Sequence, residues 1–367
     1  MKVWNFNFFL LLVILFHSPN VFSESDNSSL EVEFNQAYQA YQDNLKENKI
    51  SEAYKYAKQS YEIGQKLYGE EDINTAVLAT NYVAVSVKQG KIEKSIFKVI
   101  ESAVNYYETE EGPDSKNLVF LYYLKGAVHL KEYKSKRADK MFDKALDISK
   151  KHEMYAKTLW DIASVYSATK TAQLNNKNRI KVAGYYEEVA DIFKQSNDAR
   201  NLNARISAAI LYAGDNKYFK KAEKNYLEVL SEIEKTDDKN TQYQIHAFLV
   251  DLYSRNGKED MATRHCLETA KIKPLDENLE PKPLFMLYPA YPKSKAIAGI
   301  EGWVKVEFVL DKEGKVKETQ VVESKGGKDF QKEALKVFKK WRFTPKFIDN
   351  EPVDTTLRYT MEFRLSP

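Results

Sequence analysis

The side chains that most often carry out chemistry in proteins are scarce in this sequence. Its 367 residues include one cysteine and five histidines. His265 and Cys266 are adjacent, but neighbouring residues of a helix point in different directions, so they make a poor pair of metal ligands. The sequence contains no glycine-rich phosphate loop, no nucleophile motif and no cluster at metal-ligand spacing. We therefore expect no cofactor, no bound metal and no enzymatic activity.

The overall composition is that of a globular protein. Hydrophobic residues make up 43% and charged residues 30% of the chain, and the net charge is only +3. A protein that binds nucleic acid usually carries a much stronger basic field, so no nucleic-acid partner is expected. The single cysteine excludes an intramolecular disulfide, and the core must be stable without one.

The first residues have the pattern of a secretory signal peptide. A mostly apolar run at residues 6–16 follows a basic start, Pro19 interrupts it, and the small residue Ser23 precedes Glu24. The run is shorter than the roughly 20 apolar residues that span a bilayer. We expect residues 1–23 to be a signal peptide that is removed. The alternative is an uncleaved anchor at residues 4–22, in which several polar residues would be unfavourable.

Residues 30–273 have the periodicity of helices, with apolar residues three and four positions apart. Small residues recur at the start of what should be the second helix of each pair, at intervals of 39 to 45 residues. These positions are Ala53, Ser95, Ala138, Ala183, Ala222 and Ala262. The pattern resembles tetratricopeptide-like repeats, in which helical hairpins stack into a solenoid that commonly binds a partner protein.

Residues 274–283 are polar and rich in proline, which predicts a short linker before a C-terminal domain at residues 284–367. That domain should contain a short helix, two strands joined by a turn, a longer helix and a final strand with strict alternation. The predicted elements are residues 294–298, 304–310, 316–323, 330–341 and 357–365. The fold class expected is therefore an α-solenoid followed by a small α+β domain, with a three-stranded antiparallel sheet and two helices.

Several ordered motifs in the last quarter of the chain resemble the C-terminal domain of the TonB family. They are Tyr291-Pro292, Gly299-Ile300-Glu301-Gly302-Trp303, Asp311-Lys312-Glu313-Gly314 and Trp341-Arg342-Phe343-Thr344-Pro345. The resemblance implies a periplasmic protein of a Gram-negative bacterium that couples energy to transport. It also implies that the last strand is a sheet edge, to which the extended TonB-box peptide of a receptor adds as a further strand. The residues assigned to that site are Tyr291, Pro292, Val353, Leu357, Arg358, Tyr359, Thr360, Met361, Glu362 and Phe363. The alternative for the Tyr-Pro pair is a purely structural role, in which it fixes the entry of the chain into the first helix.

The resemblance further implies two partners. One is a TonB-dependent outer-membrane receptor, and the other is an inner-membrane proton-driven motor complex. Because a protein with a cleaved signal cannot itself contact the motor, we expect the helical repeats to hold the partner that connects the two. If the signal is cleaved, contact with the membrane is peripheral, whereas an uncleaved N-terminus would anchor the protein in the inner membrane. The alternative function is a non-energised periplasmic adaptor that links envelope proteins or the cell wall.

The mature protein in the envelope fraction should begin at Glu24. The physical basis is the short apolar run, the break at Pro19 and the small residue at Ser23. Intact mass measurement of the protein isolated from that fraction decides the question. A mature protein that retains Met1 would contradict cleavage and support the anchor.

Overall fold

The computed structural model describes residues 24–168, 176–272, 280–349 and 351–365. The predicted signal peptide and most of the predicted linker lie outside these ranges. Among the helices described, none is both long and apolar enough to cross a membrane.

The helical region contains twelve α-helices within the described residues, consistent with the 3.6-residue periodicity of its sequence. They are α1 (Glu24–Lys46), α2 (Ile50–Tyr68), α3 (Ile73–Gln89), α4 (Ile96–Glu110), α5 (Lys116–Lys131), α6 (Ser135–Lys150), α7 (Tyr155–Ala168), α8 (Asn176–Gln195), α9 (Arg200–Ala213), α10 (Phe219–Ile233), α11 (Lys239–Arg255) and α12 (Glu259–Ile272). The fold divides into two units, residues 1–175 and 176–367. The first contains α1–α7, and the second contains α8–α12 together with the C-terminal domain.

Small residues allow the helices to approach one another closely, as the sequence predicted. Five of the six predicted positions are fully buried in even-numbered helices, namely Ala53, Ala138, Ala183, Ala222 and Ala262. Ser95 differs: it is exposed and precedes α4, while the next residue, Ile96, is fully buried. The buried residue at the start of α4 is thus β-branched, and the regular spacing of small residues is broken there.

Buried tyrosines connect successive helices within each unit. Tyr166 of α7 donates a hydrogen bond to the Asp139 carboxylate of α6. Tyr212 of α9 donates to Glu187 of α8 at 2.8 Å, and Lys221 contacts the same carboxylate. The rings fill space between helices while their hydroxyl groups reach a polar partner, the usual arrangement for a buried tyrosine. Tyr166 and Tyr212 are therefore packing residues between helices.

The C-terminal domain contains the predicted three-stranded antiparallel sheet and several short strands that were not predicted. The strands are β1 (Pro283–Phe285), β2 (Gly302–Leu310), β3 (Val316–Lys325), β4 (Arg342–Phe343), β5 (Lys346–Ile348), β6 (Glu351–Val353) and β7 (Thr355–Phe363). The three long strands are in the order β3-β2-β7, and the short strands form the pairs β1–β4 and β5–β6. Its helices are α13 (Lys293–Ile297) and α14 (Lys328–Phe338).

Helix α14 covers one face of the sheet with an aromatic core. Phe330 and Phe338 of α14 are completely buried and pack with Phe308 of β2 and other core residues. Trp341 was predicted on the same helix face, but α14 ends at Phe338, and Trp341 enters the core from the following segment. Its indole Nε1 donates to the carbonyl oxygen of Leu287 at 3.0 Å, which satisfies its buried polar group.

The turn between β2 and β3 and the strand that follows it are irregular. The Asp311 N–H donates to the Lys315 carbonyl, and the Gly314 N–H donates to the Asp311 carbonyl, both at 2.9 Å. Gly314 has a φ of 75°, the left-handed position of a three-residue hairpin loop. The pairing of β2 with β3 shifts register twice, and Glu318 in β3 has a φ of 44°. The extra residues both lie on β3, so β2 itself remains regular.

Gly314 should tolerate a side chain much less well than Gly299, although both have positive φ values of 75° and 65°. A Cβ atom at Gly299 would meet no neighbour within 4 Å, whereas one at Gly314 would overlap the Phe343 carbonyl oxygen. We expect Gly299→Ala to lower the free energy of unfolding by about 1–2 kcal/mol and Gly314→Ala by about 3 kcal/mol or more. Urea unfolding followed by tryptophan fluorescence measures both, and equal losses would contradict the close approach at Gly314.

Candidate peptide-binding edge

Strand β7 lies at one end of its sheet. It pairs along its whole length with β2, from Gly302 opposite Phe363 to Leu310 opposite Thr355. Within the described residues no strand pairs with its other side. Nine residues of extended chain provide an edge about 30 Å long.

Alternate residues of β7 direct their main-chain groups away from the sheet. In an antiparallel ladder, the N–H and C=O of one residue point to the same neighbouring strand, and successive residues point to opposite sides. The Asp311 N–H bonds to Lys315 on the β3 side, so even-numbered residues of the regular strand β2 face β7. Even-numbered β2 residues pair with odd-numbered β7 residues. The β7 residues whose main-chain groups face outward are therefore Thr356, Arg358, Thr360 and Glu362.

Side chains on the helix-covered face fix β7 in place. Met361 and Phe363 are buried, and Phe363 stacks on Phe330 with ring centroids 4.4 Å apart. Tyr359 lies edge-on to Trp341 at 5.0 Å and is only partly covered. The aromatic core thus holds the strand through one face, while the edge beside it stays open.

Side chains on the other face of β7 form surface ion pairs. Arg358 pairs with Glu307 of β2 at 2.7 Å, and Glu362 pairs with Arg364 at 2.8 Å. Exposed pairs of this kind contribute little to stability, typically about 0–1 kcal/mol. The charged side chains of β7 therefore contribute little to holding the strand in the sheet, and what the edge offers a partner is its main chain.

Tyr291 and Pro292 lie at the end of the sheet near Phe363. The Tyr291 hydroxyl donates to the Ile300 carbonyl at 2.8 Å, and its ring lies edge-on to Phe330 and Phe363. Burial raises the pKa of Tyr291, and the negative charge of Glu301 makes a smaller contribution in the same direction. Pro292 is the N-cap residue of α13. These contacts fix the position of the Tyr-Pro pair at the entry to the domain.

Val353 does not belong to this edge. It lies in β6, opposite Lys346 of β5. The next residue, Asp354, accepts a hydrogen bond from the Lys312 main chain at 3.1 Å, which ties the start of β7 to the β2–β3 turn. Of the residues assigned from sequence, the structure brings together Leu357 to Phe363 on one strand and places Val353 on a separate hairpin.

The β2–β3 turn also carries the most buried carboxylate of the domain. Burial of Asp311 opposes its ionisation, but the Lys317 ammonium at 2.9 Å and the N–H groups of Lys315 and Glu313 outweigh that effect. The pKa of Asp311 is consequently held below its ordinary value. The ionised carboxylate therefore stabilises the turn next to the first residues of β7.

Residues 288–365 match the family model described as the Gram-negative bacterial TonB protein C-terminal. The C-terminal domain is of the TonB type. Its 65 most similar residues are 42% identical to Protein TonB of Pseudomonas aeruginosa, over 18% of this chain and 19% of that protein. Protein TonB of Vibrio cholerae is 34% identical over 77 residues, 21% of this chain and 32% of that protein. The chain spans only about a fifth to a third of these TonB proteins.

Similar solved structures cover both parts of the chain. The solution structure of the Pseudomonas aeruginosa TonB C-terminal domain covers 24% of this chain and 91% of its own, with 32% identity and a TM-score of 0.22. A crystal structure of tetratricopeptide-like repeats from a putative kinesin light chain of Podosopora anserina covers 57% of this chain and 95% of its own. Its identity is 14% and its TM-score is 0.42. The helical region is similar to this repeat structure, and the C-terminal domain is similar to the TonB structure.

The sequence identifies the last strand of the TonB-type domain, but it does not identify the residues whose main-chain N–H and C=O groups face away from the sheet. Thr356 lies within residues 353–363, onto which the resemblance carried the site, but it was not among the individual residues named for it. Extending the period of two back to Thr355 would have included it. Which residues face outward depends on the register with β2, and no signal within β7 itself specifies that register.

Proline should be tolerated at Thr360 and damaging at the neighbouring Tyr359. Tyr359 lies opposite Val306, and its N–H belongs to the ladder with β2, whereas the Thr360 N–H faces outward. We expect Tyr359→Pro to lower the free energy of unfolding by roughly 3 kcal/mol and Thr360→Pro by about 1 kcal/mol. Urea unfolding of both variants measures the difference, and a larger loss for Thr360→Pro would reverse the assignment of the outward groups.

Proposed function

We propose that the TonB-type domain binds an extended receptor peptide along β7, as part of a periplasmic energy-transduction system. The observation that carries the proposal is the free edge of β7, with main-chain groups of alternate residues facing outward. The receptor is an outer-membrane protein that presents a TonB-box segment. The tetratricopeptide-like helices bind a second protein, which connects this chain to the inner-membrane proton-driven motor.

The edge is suited to a peptide of loosely defined sequence. Four outward residues offer four N–H donors and four C=O acceptors, which recognise any extended main chain. Each such hydrogen bond is worth about 1 kcal/mol net, so a ladder of several gives useful affinity without a conserved side-chain contact. The residues of the ladder are held by a buried aromatic core, so little ordering of the protein accompanies binding.

Thr360→Pro should weaken the binding of a TonB-box peptide by about tenfold or more, which corresponds to about 1.4 kcal/mol. The substitution removes one outward donor and distorts the edge around it. Thr360→Ala is the matched control, because it removes the hydroxyl but keeps the N–H, and its affinity should stay within about twofold of the parent. Isothermal titration calorimetry measures both variants after circular dichroism has verified that they are folded.

The same calorimetric titration with modified peptides tests the hydrogen bonds that the peptide main chain makes with β7. Only alternate residues of an added strand face β7, so N-methylation of one set of alternate peptide residues should abolish binding and methylation of the other set should not. A folded Thr360→Pro variant that binds as tightly as the parent would disprove pairing along β7. Equal effects of methylation at every peptide position would also disprove it.

A further inference from the structure

Within the unit formed by residues 176–367, the C-terminal domain contacts the last helical hairpin through a buried charge. The Arg342 guanidinium of β4 donates to the Glu259 carboxylate at the start of α12. The Arg342 side chain is 7% exposed, so its charge has almost no contact with water. A desolvated guanidinium requires a partner, and in this structure that carboxylate comes from the helical region.

A second contact involves the single cysteine of the chain. Cys266 of α12 is fully buried, and its thiol donates to the Phe343 carbonyl of β4 at 3.1 Å. Gly314 of the β2–β3 turn lies so close that a Cβ atom there would be 2.8 Å from the Cys266 sulfur. A larger residue at position 314 would therefore not fit against this sulfur.

The third contact involves the first strand of the domain. Phe285 of β1 is buried, and β1 packs against α11. The Arg255 guanidinium of α11 lies 5.5 Å from the centroid of the Phe285 ring, within the range of a cation–π interaction. Strand β1 pairs in turn with β4, which carries Arg342. The three contacts therefore form one continuous surface.

The last hairpin of a helical repeat array has no following repeat to cover its apolar face, and such ends normally need a cap. Here the small buried residues Ala262, Cys266 and Ala270 occur on α12, and β4 and the β2–β3 turn lie against Cys266. We propose that the TonB-type domain is the C-terminal cap of the α8–α12 stack, docked through Arg342–Glu259, Cys266–Phe343 and Phe285–Arg255. The edge strand β7 is consequently held in a fixed orientation to α12.

This docking does not depend on what β7 binds. Load applied to β7 would pass through the sheet and β4 into α12, because the two parts share a packed surface. A domain tethered only by its linker would instead turn freely and transmit tension along the chain. Docking therefore gives the helical region a direct mechanical role in whatever the C-terminal domain does.

The reactivity of Cys266 measures docking directly, since no other thiol is present. Burial raises its pKa to about 12, so the docked thiol should react very slowly with a disulfide reagent such as Ellman's reagent at pH 8. In the folded full-length protein we expect labelling about a hundredfold slower than in the same chain unfolded in urea. Glu259→Arg places a second positive charge beside Arg342, and it should accelerate labelling by about tenfold or more through local opening.

Asp260→Arg is the matched control. It changes the charge by the same amount in the first turn of α12, at an exposed position. Its labelling rate should stay within about twofold of the parent. Circular dichroism must show the same helix content in all variants. If Glu259→Arg unfolds the chain, Glu259→Gln keeps the shape, removes the charge and should still accelerate labelling.

Two results would overturn the docked arrangement. One is rapid labelling of the folded parent protein, at the rate of the unfolded chain. The other is a Glu259 variant that is folded and reacts no faster than Asp260→Arg, which would mean that Cys266 is buried by the α11–α12 hairpin alone. Slow labelling of Cys266 in the parent protein, together with faster labelling in the Glu259 variant but not in Asp260→Arg, would support the proposed cap.

Discussion

The hydrogen-bonding alternation of β7 is the constraint on which the C-terminal domain depends. One half of its main-chain groups is satisfied by β2 and the other half faces outward, so the strand must be held without help from a second neighbour. The aromatic core provides that support: Phe363 stacks on Phe330, and Trp341 lies against Tyr359. A strand with one neighbour can be firmly held only if its side chains compensate for the hydrogen bonds that a second neighbour would make.

Local periodicity predicted much of the fold because it reflects local physics. The alternation that begins at Leu357 and the helical spacing around Phe330 each identify residues on the buried face. The structure confirms the three-stranded sheet and the helical repeats. Local periodicity does not reveal contacts between residues distant in sequence, such as the hydrogen bond from Trp341 to the Leu287 carbonyl. Trp341 lies beyond the end of α14, and Ile96 rather than Ser95 is buried in its hairpin.

The candidate site was predictable only in part for the same reason. The last strand can be read from its own residues, but its status as an edge depends on strand order, and its outward residues depend on register with β2. Val353 illustrates the limit, since it is close in sequence to β7 yet pairs with Lys346. The pairing of Arg342 with Glu259 joins residues 83 positions apart, and neither residue carries a local signal of its partner.

The irregularity of β3 has a consequence for the opposite side of the sheet. Its two register shifts and the positive φ of Glu318 interrupt the repeat of donors and acceptors that an incoming strand would have to match. Such bulges are a common way to blunt an edge against aggregation. The two edges of the sheet therefore differ: β7 has an uninterrupted repeat of main-chain groups, and β3 does not. The interrupted β3 edge is consequently a poor template for pairing with the edge of another sheet, which disfavours edge-to-edge assembly of the domains through β3.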